Sequence, residues 1–277
     1  MKTEFDLSYS MLLKRVMAQK PQKDKRTGLM VRSIDGAFFK DRRVPILNLR
    51  DIKPLWTCAE AVWFMAGDCE VDFMNMFGFK NWDMFADDKG RVQSATGYRW
   101  RRRHGPDQLT CIIDKLYKDK TARRGVLLSW NPVDDLINDS PNAPCVVAWH
   151  LHVIDDKLHM SAFQRSCDLY FGFPHDILGS RLIQEMVAPL IGVGVGNISY
   201  FISNGHLYED QWQAAEEMMA REASERDISY GPDSLELKPN IGMAAMNGDP
   251  EVVEYLMKRL LKFYDPWPAI KGPRLVK

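Results

Sequence analysis

Ala143-Pro144-Cys145 leads into Val146-Val147-Ala148-Trp149-His150-Leu151-His152-Val153, and Gln164-Arg165-Ser166-Cys167-Asp168 follows closely. The apolar runs read as packed strands, Val146–Ile154 and 158–164, joined by a hairpin-like turn at Asp155-Asp156-Lys157. Phe171-Gly172-Phe173-Pro174-His175-Asp176 then opens a long apolar helix over 174–191, and a further strand over 195–202 ends near His206. This order predicts one α+β domain over residues 1–277, with a mixed or antiparallel sheet surrounded by helices.

Upstream, 9–19 has helical spacing, and 20–28 is a basic loop holding Arg26-Thr27-Gly28, either a solvated turn or a phosphate loop. Residues 31–39 alternate like a strand. In the helix 56–65, Glu60 stands among Cys58, Ala59, Ala61, Val62 and Trp63; a helical Glu is usually exposed, but these neighbours favour burial. The stretch 73–82 is a Met- and aromatic-rich helix and loop of core type. An amphipathic helix spans 107–118, and Arg123-Arg124 precede a strand over 125–130. Residues 210–223 and 251–263 read as helices, 224–247 as loop with a short strand at 234–237, and Tyr264-Asp265-Pro266-Trp267-Pro268 as irregular tail.

The 277 residues carry 37 basic and 37 acidic side chains, so bulk charge gives no reason to expect nucleic-acid or membrane binding. Any anion site must be local. The five cysteines are odd in number and form no C-x-x-C pair, which disfavours a disulfide framework or a zinc site. No apolar run is long enough to span a bilayer, and the first residues lack a signal-peptide core, so a reducing cytoplasm is expected.

A cysteine in an apolar run is usually a small buried hydrophobe. Cys145 differs in following a proline and in having Arg165 nearby in sequence, with Arg26, Arg123 and Arg124 as further candidates for a phosphate cage. A neighbouring cation lowers a thiol's pKa and yields the nucleophilic thiolate. A Cys–His hydrolase needs an imidazole on the thiol; His150, His152 and His159 lie on the two strands after Cys145 and can equally point outward, and His206 is the better candidate, but no protease-type signature surrounds Cys145.

Taken together the motifs resemble the thymidylate synthase family, including the pyrimidine nucleotide hydroxymethylases. They run from Arg26-Thr27-Gly28 through Glu60-x-x-Trp63-Phe64-x-x-Gly67-Asp68, Trp82-Asp83 and Gly97-x-x-Trp100-Arg101 to Arg123-Arg124. Ala143-Pro144-Cys145, Gln164-Arg165-Ser166-Cys167-Asp168, Gly172-x-Pro174-x-Asp176, His206-Leu207-Tyr208 and Tyr264-Asp265-Pro266-x-Pro268 complete the match. The resemblance implies a homodimer built on a large sheet packed against its twin, a pyrimidine nucleotide substrate, and methylenetetrahydrofolate as cosubstrate without a metal.

It implies Cys145 as the nucleophile on C6 of the pyrimidine and Glu60 as the buried acid that organises water and protons. Arg26, Arg165 and Ser166 would hold the phosphate, with Arg123 and Arg124 lent by the partner subunit. Gln164 and Asp168 would help bind the nucleotide, Asp176 would meet its base, and His206 and Tyr208 the sugar hydroxyl. Trp82, Asp168, Phe171, Gly172 and His175 would lie along the folate, and the tail would close over the ligands.

Departures set the finer expectation. Asp176 stands where the synthase has Asn. An amide suits the N3–H and O4 of uracil, whereas a protonated carboxyl donates to N3 of cytosine and accepts from its amine. The alternative is that Asp176 caps the helix beginning near Pro174. Val146 replaces the usual His after the nucleophile, Thr96 a Tyr implicated in removing the C5 proton, and His175 a Phe. The expected reaction is hydroxymethylation of dCMP. Methylation of dCMP, chemistry on dUMP and a non-catalytic nucleotide binder stand as alternatives.

Overall fold

A computed structural model of the chain describes residues 3–138, 140, 142–221 and 233–273. Its elements in order are α1 (Glu4–Met17), β1 (Gln22–Lys23), β2 (Met30–Asp41), α2 (Pro54–Ala66), α3 (Asp72–Met76), α4 (Thr96–Tyr98), α5 (Gln108–Lys118) and β3 (Gly125–Leu128). Then come β4 (Val146–Ile154), β5 (Lys157–Asp168), α6 (Gly172–Ile191), β6 (Gly194–Tyr208), α7 (Trp212–Ala220), α8 (Pro239–Met246) and α9 (Glu251–Leu260). The strands form one six-stranded mixed sheet in the order β1-β2-β6-β5-β4-β3.

The β4–β5 turn is where the sequence put it. Asp155 and Asp156 both take φ of 51°, the left-handed conformation that a tight hairpin turn demands. β5 and β6 run parallel, so the chain must cross over between them, and α6 is that crossover. This helix is almost wholly buried, and its buried ion pair, Arg181 with Glu185 at 2.9 Å, is satisfied within the core. It lies against α2, which begins with Pro54 at its first turn and ends at Gly67 in left-handed conformation.

The opposite face of the sheet is bare. Phe38 pairs with Phe201, Phe201 with Phe163, Phe163 with Ala148 and Ala148 with Leu128, a row across five strands. Phe38, Phe201 and Phe163 are 55%, 47% and 47% exposed, although they are the residue type a fold normally hides.

Several expectations need correction. Residues 234–237 are not a strand: the Leu235 N–H and the Ser234 hydroxyl both donate to the Glu185 carboxylate, and Glu236 has φ of 53°. A buried side chain thus supplies the partner a neighbouring strand would have given. α8 lies where only loop was expected, started by Pro239 in its first turn. The helix expected within 73–82 is only the short α3, and β6 runs on through His206 to Tyr208. The end of the helix expected over 210–223 and much of the loop 224–247 lie outside the described residues.

Candidate active site

A cavity of about 220 Å³ lies where the N-terminal half of α6, α2 and the start of β4 meet. Cys145 opens onto it just before β4, with Glu60 from α2, Gln164 and Asp168 from β5, and Asp176 from α6. The Cys145 loop is fixed from behind by Arg165, whose Nε donates to the Pro144 carbonyl at 3.0 Å and whose terminal nitrogen donates to the Ala143 carbonyl at 2.9 Å. The backbone carbonyl of Cys145 accepts from the Arg165 N–H at 2.9 Å.

The resting thiol is not the activated thiolate that a nearby cation suggests. Burial pushes its pKa up to about 11, and the Asp176 charge adds to this; Arg165 and Arg26 pull the other way but do not prevail. Although the residue is exposed, its exposure is to the cavity, where the surrounding protein still disfavours the charge. Among the described residues no imidazole is hydrogen-bonded to the Cys145 thiol. His150, His152 and His159 instead stack in a row on the sheet, at 4.9 and 5.5 Å between neighbouring rings. The Cys–His reading loses its base.

Three carboxyls line the cavity, those of Glu60, Asp168 and Asp176. Asp176 sits in the second turn of α6, and no side chain caps that helix, so the capping alternative fails. Oδ2 of Asp176 accepts from Nε2 of Gln164 at 2.7 Å; Gln164 is itself 1% exposed. A methyl group at Gly172 would come to 3.3 Å from Asp176 Oδ2, so the glycine leaves room for this carboxyl. Burial pushes Asp176 up to about 7, against the Gln164 hydrogen bond. Glu60 accepts from the Trp82 indole N–H at 3.1 Å and is pushed up to about 8, chiefly by burial and then by Asp176.

Both values lie above the range of about 4 for an unfolded chain. Between about pH 4 and 8 the folded chain keeps protons that the unfolded chain has lost, so stability falls as pH rises through that window. Asp176→Asn removes one of the two groups. Its melting temperature should fall less than the wild type's between pH 5 and pH 8; equal losses would show that Asp176 titrates normally.

The other polar groups expected at the site stand along the strands on either side of Asp168, and of Ser166, His206, Tyr208 and Arg26 none lines the cavity itself. Ser166 and Asp168 on β5 pair in register with Asn204 and His206 on β6, while Tyr208 ends that strand opposite Val31 of β2. Arg26 reaches in from the loop between β1 and β2, donating to the Tyr208 hydroxyl at 2.9 Å. The loop is shaped by Asp24, which accepts from the Arg26 N–H and the Thr27 hydroxyl. Asp168 is already engaged: Oδ1 accepts from the N–H groups of Tyr170 and Phe171, and Oδ2 from Gln211.

Arg123 and Arg124 do not join them. Both are exposed beside the start of β3, which pairs with the far end of β4. Five residues of strand from Val146 to Leu151 put them roughly 17 Å from the cavity. Neither guanidinium makes a hydrogen bond or ion pair among the described residues.

The remaining wall is aromatic. Phe64, Trp82 and His175 line the cavity with Glu60, a surface suited to a flat heteroaromatic ring beside a hydrogen-bonding carboxyl. Thr96 lines it too, carried there because Gly97 lies directly on the Phe64 backbone, where an added Cβ would meet the carbonyl oxygen at 2.1 Å. Phe171 packs on Tyr170 outside the cavity lining. The tail lies apart: Tyr264 donates to Asp51 at 2.7 Å, the Trp267 N–H donates to the Asn48 carbonyl at 2.9 Å, and no tail residue lines the cavity.

The family model described as thymidylate synthase matches residues 7–270, nearly the whole chain. The chain belongs to the thymidylate synthase family. The mixed sheet, with helices around it, is the fold expected on that footing. The family transfers a one-carbon unit from methylenetetrahydrofolate to C5 of a pyrimidine nucleotide, and this chain is a one-carbon transferase of that kind.

Two contributors were not singled out from the sequence. Thr57 holds Nδ1 of His175 at 2.6 Å, and Gln211 holds Asp168; these pairs are 118 and 43 residues apart. No local pattern marks such contacts. Among the described residues no cluster of His, Cys, Asp or Glu is placed to hold a metal ion, and no helix is long and apolar enough to cross a membrane.

Proposed function

We propose that the chain hydroxymethylates dCMP: dCMP, methylenetetrahydrofolate and water give 5-hydroxymethyl-dCMP and tetrahydrofolate. The observation that carries this reading is the Asp176 carboxyl, inside the cavity with Cys145 and raised to about 7. A carboxyl that keeps its proton near neutrality can donate to N3 of cytosine and accept from its amine; opposite uracil the same proton meets another N–H. Tritium release from C5-labelled dCMP, dependent on the folate, is the test. Release from labelled dUMP alone would reverse the base assignment.

In this scheme C6 is made electrophilic as Asp176 passes its proton to N3. The Cys145 thiol loses its own proton as the C6–S bond forms, which places negative character on C5 and makes that carbon a nucleophile. Methylenetetrahydrofolate supplies the one-carbon unit. Water held by Glu60 near Thr96 carries off the C5 proton. Arg26, Arg165 and Ser166 hold the phosphate so that base and thiol meet in register. His206 and Tyr208 receive the sugar hydroxyl, and Trp82 flanks the folate while keeping Glu60 in place.

Methylation of dCMP is the second reading, favoured by the aromatic shelter of Trp82 and Phe64 over the cavity. The docking of the tail along Asn48 and Asp51 favours water, since a tail away from the cavity leaves it open.

The bare aromatic row of the sheet supports a homodimer, because an exposed apolar face of this kind is normally covered. Arg123 and Arg124, distant from their own cavity, would then serve the partner's phosphate site. An Arg124→Ala chain mixed with a Cys145→Ser chain should regain activity, since a heterodimer keeps one intact site. Confirmed subunit exchange without recovery would place the whole site in one chain.

A further inference from the structure

His175 is a polar group in the cavity that the scheme above leaves without a task. Thr57 is fully buried and its hydroxyl lies 2.6 Å from His175 Nδ1. The Thr57 hydroxyl has no other hydrogen-bond partner among the described residues; Nδ1 is the acceptor its proton can reach, which assigns the ring's own proton to Nε2. Trp56 packs on the imidazole at 5.0 Å between ring centroids, and Gly179, one turn along α6, sits against Thr57. The ring is therefore clamped on two sides. It is 8% exposed and lines the cavity, while Nε2 is neither sealed by protein atoms nor bonded to any described residue. A fixed donor faces the space in which Cys145, Glu60 and Asp176 meet.

We propose that His175 is a positioning residue for product choice, holding through its Nε2–H the water that attacks the exocyclic methylene carbon at C5 of the Cys145-bound nucleotide. This rests on the one-carbon-transfer reading and assigns the source of its hydroxyl. Donation to the water oxygen leaves one lone pair for carbon and both water hydrogens for the carboxyls. The water oxygen forms a bond to the methylene carbon. The π pair of that carbon and C5 moves to form C5=C6, and the C6–S bond breaks with its electron pair going to sulfur. The proton shed by the water re-forms the Cys145 thiol, so the step needs no oxidant or reductant. Burial holds the imidazole far below its usual range, down to about 3, so it stays neutral and orients the water without taking its proton.

The test is the ratio of 5-hydroxymethyl-dCMP to 5-methyl-dCMP, read by mass spectrometry. The ratio does not depend on overall rate. His175→Phe keeps an aromatic ring and removes the donor; the ratio should fall about tenfold, the worth of one such hydrogen bond. His175→Gln, which keeps an N–H, should recover part of it, and Thr57→Val should shift it in the same direction as His175→Phe. Nitrogen-15 NMR of the ligand-free protein gives a readout apart from turnover: wild-type His175 should show the Nε2–H tautomer, and Thr57→Val should lose that preference. An unchanged ratio in His175→Phe, or an Nδ1–H tautomer in the wild type, overturns the inference alone. A wild type that makes only 5-methyl-dCMP removes the hydroxymethylase reading and this inference together.

Discussion

The Asp176→Asn enzyme is expected to lose its dCMP activity and to bind or convert dUMP. The substitution keeps the side chain's shape and its place beside Gln164. In the cavity the amide oxygen can accept from uracil N3–H while its nitrogen donates to O4. Against cytosine in that orientation an acceptor faces an acceptor and a donor faces a donor. A buried polar group left unmatched costs about 1–3 kcal/mol, and two mismatches on one base edge multiply to a discrimination of about 10²–10⁴. The measurement is kcat/KM for both nucleotides on both proteins with saturating methylenetetrahydrofolate. A ratio that does not move means that Asp176 does not read the base. Because the capping role is already excluded by the helix geometry, its raised pKa would then reflect burial, with the Asp168 charge adding to it.

Cys145→Ser should lose turnover by at least about 10⁴-fold, the scale seen when a nucleophile is removed. A serine hydroxyl is far harder to ionise than a thiol, and the cavity already disfavours charge at this position, holding even the thiol up at about 11. The fold should not suffer. The residue is exposed to the cavity, and the loop is held by Arg165 through backbone carbonyls, which the substitution leaves in place. Single-turnover assays with a melting curve on the same sample separate the two effects. Near-normal turnover in a folded protein would remove the covalent step.

The sheet was readable because its cues are local. Apolar runs marked β4 and β5, Asp155-Asp156-Lys157 marked their turn, and the long, mainly apolar stretch after Pro174 marked α6. The strand expected at 234–237 failed because Glu185, on a distant helix, takes the Leu235 N–H and the Ser234 hydroxyl. The site residues were legible as motifs, but their electrical state was not. Arg165 stands near Cys145 as its place in the sequence suggested, yet its guanidinium is occupied with carbonyls, and burial outweighs its charge at the thiol. Likewise Glu60 could be suspected of burial from its neighbours, whereas its bond to Trp82 needed the fold. The clamp of Thr57 on His175 joins two helices and leaves no trace in either segment.

The most direct measurement is the mass of the nucleotide formed when the wild-type protein is given dCMP and methylenetetrahydrofolate. The expected product is 5-hydroxymethyl-dCMP, with tetrahydrofolate released unoxidised. Unmodified dCMP, under conditions in which the same preparation converts dUMP, would contradict it.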